Sequence, residues 1–172
     1  ILEICEGQAY DMEFESRDAS VNEYILMSEK KTGSLFELCF EIPALISEDY
    51  ISFKSELKTF GRNLGIIFQI QDDILEMLTS SENMGKGTNS DIERSKKTIL
   101  SSMALDSDRD GWNNLQEKIK NTSLEEKKLM IRNYYTDTGI IKKSDKLLLS
   151  FEDKCKDIIK SLPHKIHDDM TI

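Results

Sequence analysis

The sequence predicts an all-α protein, and two observations carry that expectation. Apolar residues recur at spacings of three and four along most of the chain, the period of a helix face, while strand-like alternation is scarce. Helix breakers are few: two prolines, Pro43 and Pro163, and eight scattered glycines in 172 residues. That length suits one domain with a sizeable core, or a large part of a bigger one.

Taken in order, residues 1–14 read as the end of a helix, entered part-way along. The start, Ile1-Leu2-Glu3-Ile4, lacks the charged beginning and small-residue cleavage site of a secretory signal. Ser20 can cap the second helix, with Glu23 three residues on as its capping-box partner. That helix should run through Tyr24, Leu26, Met27, Lys31, Leu35 and Phe36 towards Pro43. A third, long helix fits residues 50–78, with Phe53, Leu57, Phe60, Leu64, Ile67, Phe68 and Leu75 facing the core. The Ser-, Asn- and Gly-rich stretch 80–89 reads as an exposed loop. Helices resume over 91–105, 111–119, 124–135 and 140–161, and the polar segment 163–172 reads as a frayed tail. No internal repeat divides the chain, so 1–172 is treated as one unit.

Charge narrows the function classes. With 23 Lys+Arg against 32 Asp+Glu, the net charge of −9 disfavours nucleic acid as a partner. No long uncharged apolar run suggests a membrane span. Cys5, Cys39 and Cys155 are widely spaced, odd in number and without metal-binding spacing. They point to reduced, buried thiols in the cytoplasm or an organelle interior.

The chemistry concentrates on the third helix. At about 100° per residue, Gln69, Asp72, Asp73 and Glu76 fall within one arc of roughly 100°. An otherwise apolar helix thus carries one polar stripe, with Gly65 one turn earlier leaving room for something bulky. Crowded carboxylates repel, and a divalent cation relieves the repulsion. Magnesium takes few protein carboxylates and completes its shell with waters and phosphate oxygens, so the stripe suits a magnesium half-site. Spacing alone serves a solvated acidic face equally well.

Flanking residues shift the balance. Gly61-Arg62-Asn63-Leu64-Gly65-Ile66-Ile67-Phe68-Gln69-Ile70-Gln71-Asp72-Asp73-Ile74-Leu75 resembles the second aspartate-rich region of trans-isoprenyl diphosphate synthases. Gly7-Gln8-Ala9-Tyr10-Asp11 is similar to that family's GQxxD, and Lys31-Thr32-Gly33-Ser34-Leu35-Phe36 to its K-T-G-x-L-F. Gly85-Lys86 and Asp91-Ile92-Glu93-Arg94-Ser95-Lys96-Lys97-Thr98 fall where the family places its later basic segments. The resemblance is close from Glu3 to Leu100 and looser to Leu162 through Asp137-Thr138-Gly139. It implies the C-terminal part of an antiparallel helical bundle around a central cavity, usually a homodimer and in some cases a heteromer.

It also implies roles. Asp72, Asp73 and Glu76 would hold Mg2+, with Asp72 the direct ligand. Lys31 and Lys86 would offset diphosphate charge, and Gln8, Thr32, Gln69 and Lys96 would contact substrate. The substrates implied are an allylic diphosphate and isopentenyl diphosphate. Two departures stand out: Glu76 replaces the usual final Asp of the acidic motif, and Ser95 a common Gly. The family's first aspartate-rich motif, which lies N-terminal to GQxxD, does not occur in these residues. The chain by itself is therefore expected not to turn over substrate, and a non-catalytic partner subunit is the alternative. A terpene cyclase fits less well, because GQxxD and K-T-G are elongation features.

A competing pattern is Asp106-Ser107-Asp108-Arg109-Asp110-Gly111 with Glu117, which satisfies the EF-hand loop and raises calcium binding as a further alternative. Asn113 stands where such loops carry an aliphatic residue, and no second loop pairs with it. His164 and His167 lie three apart in the polar tail, a weak setting for a metal.

Overall fold

The computed structural model describes residues 1–78 and 97–163. Among them run eight α-helices: α1 (Leu2–Phe14), α2 (Val21–Ser28), α3 (Ser34–Ile46), α4 (Lys54–Leu78), α5 (Ile99–Ser107), α6 (Arg109–Ile119), α7 (Leu124–Asp137) and α8 (Ile140–Ser161). No strand occurs among the described residues, as the spacing predicts. Gly85, Lys86, Lys96, His164 and His167, and the start of the helix expected at residue 91, lie outside them.

Local chemistry starts several helices. The Ser20 Oγ accepts from the Glu23 N–H, and the Glu23 carboxylate accepts in return from the Ser20 N–H at 2.9 Å. Ser123 and Glu126 repeat this reciprocal cap at α7, and Thr98 with Ser101 at α5. Such a cap satisfies donors that the first helical turn leaves open. Asp108 caps α6 through the Gly111 N–H at 2.9 Å. Gly139, at φ 72, makes the left-handed turn between α7 and α8.

The second helix departs from expectation. It is interrupted by a π-turn at Glu29–Gly33 and then passes Pro43, ending at Ile46 rather than at the proline. Tertiary contact explains the interruption. A Cβ at Gly7 would stand 2.2 Å from the Lys31 nitrogen, and one at Gly65 2.6 Å from the Gly33 Cα. The π-turn is thus packed backbone to backbone between α1 and α4. Gly65 makes room for Gly33, and the expectation that it leaves space for a ligand is corrected.

Helix α4 is the axis of the fold, with α3 along one side and α8 along another. A three-residue 3₁₀ turn, Ile51–Phe53, leads into it. Ile66, Ile67, Ile70 and Ile74 point into a core shared with Tyr24, Met27, Ile99, Leu100, Trp112, Tyr135 and Ile140. Each such aliphatic side chain, once buried, contributes about 2 kcal/mol. Leu57, Phe60 and Ile67 are buried as expected, but Phe68 and Leu75 are 55% and 60% exposed. They lie on the α4 face opposite the isoleucines, beside Asp72. The thiols also differ from expectation, since only Cys155 is buried while Cys5 and Cys39 are exposed.

The EF-hand pattern does not form its loop. Residues 106–117 are the end of α5, a joint at Asp108 and most of α6, so a backbone that must wrap around calcium is helical instead. Asp106 accepts from the Val21 N–H at 3.0 Å, and Trp112 stacks on Tyr135 with ring centroids 5.5 Å apart.

Candidate active site

Helices α1 and α4 bring polar side chains to the π-turn. From α1, Asp11 is 8% exposed and its Oδ2 accepts from the Lys31 Nζ at 2.6 Å. Gln8, one turn earlier, is exposed. From the π-turn itself the Thr32 Oγ1 donates to the Gln69 Oε1 on α4 at 3.0 Å. The Gln69 Nε2 in turn donates to the Asp73 Oδ1 at 3.3 Å. Two polar systems thus meet at the π-turn, the Lys31–Asp11 pair and the Thr32–Gln69–Asp73 chain, carried by the adjacent residues Lys31 and Thr32.

The two adjacent aspartates face different surroundings. Asp72 is exposed, on the same side of α4 as Phe68 and Leu75, and Glu76 is half-buried one turn on. Asp73 is 4% exposed. Its Oδ2 accepts from the Tyr24 hydroxyl at 2.6 Å and from the Ile99 N–H at 2.8 Å. Burial, and then the charge of Asp73, push the Tyr24 hydroxyl well above its usual range, so it remains a neutral donor. Asp73, expected beside Asp72 in the magnesium set, thus has internal donors on both oxygens, and direct contact with a cation would compete with buried hydrogen bonds.

No group of three or more His, Cys, Asp or Glu among the described residues could hold a metal ion. Asp72 and Glu76 still fit magnesium, which needs only one or two protein carboxylates beside waters and phosphate oxygens. Lys86 and Lys96, expected to approach the diphosphate, lie outside the described residues.

A second polar system buttresses the π-turn from its other side. Arg62 donates from NH1 to the Glu29 Oε1 at 2.6 Å and from Nε to the Glu37 Oε2 at 2.6 Å. Lys58 reaches Glu37 at 2.9 Å, and Lys54 reaches Glu41 at 2.9 Å. Sequence reasoning misses these pairs, and misses Tyr24 as a polar partner, because each joins residues of different helices. The spacing Gly61-x-x-x-Gly65 is a signal for close helix approach, and a Cβ at Gly61 would indeed stand 2.6 Å from the Phe36 carbonyl oxygen. A cleft of about 630 Å³ lined by Lys54, Lys58, Arg62 and Glu37 belongs to this charge ladder, away from the acidic stripe.

No helix among the described residues is long and apolar enough to cross a membrane. The sequence model of the Polyprenyl synthetase family matches residues 1–135. A short chain isoprenyl diphosphate synthase of Methanocaldococcus jannaschii is 37% identical over 129 residues, 74% of this chain and 39% of the relative. A geranylgeranyl diphosphate synthase of Sulfolobus acidocaldarius is 46% identical over 101 residues, 58% of this chain and 31% of the relative. The crystal structure of geranylgeranyl pyrophosphate synthetase from Pyrococcus horikoshii superposes with a TM-score of 0.81 at 30% identity, covering 97% of this chain and 52% of that one. The chain covers about half or less of the length of these relatives. With the family match over most of the chain, and helices arranged as in that crystal structure, the chain belongs to the polyprenyl synthetase family.

Proposed function

We propose that this chain forms one wall of a magnesium-dependent prenyl transfer site, in which isopentenyl diphosphate is joined to an allylic diphosphate to give a longer trans-prenyl diphosphate. The observation that carries the reading is the Lys31–Thr32–Gln69 group on the glycine-packed π-turn, with exposed Asp72 one helical turn further along α4. Asp72 and Glu76 would hold magnesium. When bound, magnesium supplies Lewis acidity and a template for the diphosphate.

The chain's own residues do the rest. The Lys31 ammonium, kept near the site by Asp11, offsets diphosphate charge as the allylic carbon–oxygen bond breaks. Gln8, Thr32 and Gln69 supply polar contacts near the reacting end, and Lys86 and Lys96 further positive charge. The Phe68 and Leu75 side chains give the acidic face an apolar flank that excludes water from the allylic cation. The isopentenyl double bond attacks that cation, and loss of a proton completes the product. The relatives extend beyond this chain's match, and the remaining wall, with the first aspartate-rich motif that the resemblance implies, would lie in that further part. A homodimer in the cytoplasm or an organelle interior completes the proposal.

Asp72→Ala in the intact protein should lower prenyl transfer by at least about 100-fold, since loss of a residue that merely orients a metal's ligands already costs up to about that much. Unchanged turnover would sink the assignment. Turnover that appears only when a second, different chain is added would replace it with the partner-subunit reading.

A further inference from the structure

We propose that Asp73 is a positioning residue that sets the hydrogen-bond direction of Gln69 and Thr32. The inference deepens the prenyl-transfer reading and rests on it only for the activity measurement below.

Donor and acceptor identities fix the direction. An ionised carboxylate accepts hydrogen bonds and donates none. The Ile99 N–H, at the first residue of α5, can only donate, and it meets the Asp73 Oδ2 at 2.8 Å. The Tyr24 hydroxyl donates to the same oxygen at 2.6 Å. That leaves the Asp73 Oδ1 for Gln69, at 3.3 Å, and only the NH2 side of the Gln69 amide can meet it. The Gln69 carbonyl must then turn towards Thr32, where it accepts the hydroxyl proton at 3.0 Å. With its proton committed inward, the Thr32 oxygen presents lone pairs, and no donor, to whatever lies beyond it. Asp73 therefore decides, from a position 4% exposed, whether the π-turn presents an acceptor or a donor.

Two side chains are held by this relay because α2, α4 and α5 all anchor it. Tyr24 comes from α2, Gln69 and Asp73 from α4, and Ile99 from α5. A misturned amide would leave two acceptors facing each other in a part-buried site, which costs a hydrogen bond and adds repulsion.

The Asp73→Asn variant tests the direction, because it changes one acceptor into a donor at nearly constant shape. The oxygen of the new amide must stay with Ile99 and Tyr24, so its NH2 faces Gln69. Gln69 then has to rotate, its NH2 meets Thr32, and the Thr32 hydroxyl is reversed. Adding Gln69→Glu restores an acceptor opposite both the NH2 introduced at position 73 and the Thr32 hydroxyl, and the pair keeps the same total charge. In the intact protein, D73N is expected to lower kcat about tenfold, the effect of about one hydrogen bond, with half-saturating Mg2+ unchanged within about twofold. It should also lower the midpoint of thermal unfolding by about 4 °C. The double variant D73N/Q69E should recover most of the loss in unfolding midpoint, which reads the hydrogen-bond direction apart from the contact that Gln69 makes with substrate. A rise of tenfold or more in half-saturating Mg2+ for D73N would make Asp73 a metal ligand and overturn the inference. A double variant no more stable than D73N would overturn it as well. Should the wild-type protein show no prenyl transfer, the proposed function fails while the two unfolding midpoints still decide the role of Asp73.

Discussion

The two halves of α4 are built to different ends. Along the first half, Lys54, Lys58 and Arg62 are each matched to Glu41, Glu37 or Glu29, and Gly61 and Gly65 let neighbouring backbone approach closely. Along the second half, Phe68, Asp72 and Leu75 stand exposed, while Asp73 is taken up by internal donors. One half is completed by its own chain. The other keeps apolar and acidic groups on one face, the combination that the proposed diphosphate substrate with its hydrocarbon tail would use. A single helix thus holds the turn that carries Lys31 and Thr32 with one half, and shapes the proposed site with the other.

Gly65→Ala is the sharpest way to break the first half. Its Cβ would meet the Gly33 Cα at 2.6 Å and the Gly33 nitrogen at 2.9 Å, and backbone cannot step aside as a side chain can. The expected loss is about 3 kcal/mol, the upper range for overpacking, read from denaturant unfolding. Asp72→Ala provides the contrast. The residue is exposed, so the change in stability should stay within about 0.5 kcal/mol while activity collapses. A large stability loss there would show that the second half is structural as well.

Arg62→Met should cost about 1 kcal/mol, because Arg62 joins Glu29 and Glu37 but is itself 38% exposed along its side chain. Added salt should shrink the difference between wild type and variant, since screening weakens the pairs that remain only in the wild type. Ser20→Ala, outside α4 altogether, removes one member of a capping box and should also cost about 1 kcal/mol by thermal melting.

The smallest effect is in pH. The hydrogen bond from Lys54, and less strongly the charge of Lys58, hold the Glu41 carboxyl below its ordinary value of 4.5, with burial opposing. A carboxyl depressed in the folded state stabilises above its unfolded pKa, and that contribution is lost as pH falls through the folded one. Melting temperature should therefore decline below about pH 4.5, and Glu41→Gln should make the decline shallower. An equal slope in both proteins would remove Glu41 from the account.

How much of this is legible in the residues varies with the range of the interaction. The Ser20–Glu23 cap is local, and it forms as the spacing predicts. The long helix around Leu57, Phe60 and Ile67 follows from periodicity, because one face of a helix is set by every third or fourth residue. Phe68 and Leu75 look equally apolar in the sequence, yet they lie on the other face. Hydrophobicity says that a side chain favours burial and says nothing about which neighbour is there to cover it. The candidate site is legible as a set of motifs, and the fold joins Thr32, Gln69 and Asp73 by hydrogen bonds beside the Lys31–Asp11 pair. The pairing of Lys31 with Asp11, the support from Arg62 and the role of Tyr24 require the helices to be placed.

The sequence by itself determined the all-α class, most helix spans and the family, because these follow from short-range periodicity, capping chemistry and ordered motifs. Only the tertiary structure decided the π-turn at Glu29–Gly33 and the different surroundings of Asp72 and Asp73. Both depend on partners distant in the chain, Gly7 and Gly65 for the turn, Tyr24 and Ile99 for the aspartate. Adjacent residues on a helix point about 100° apart, so packing alone settles which carboxylate meets water and which meets donors inside.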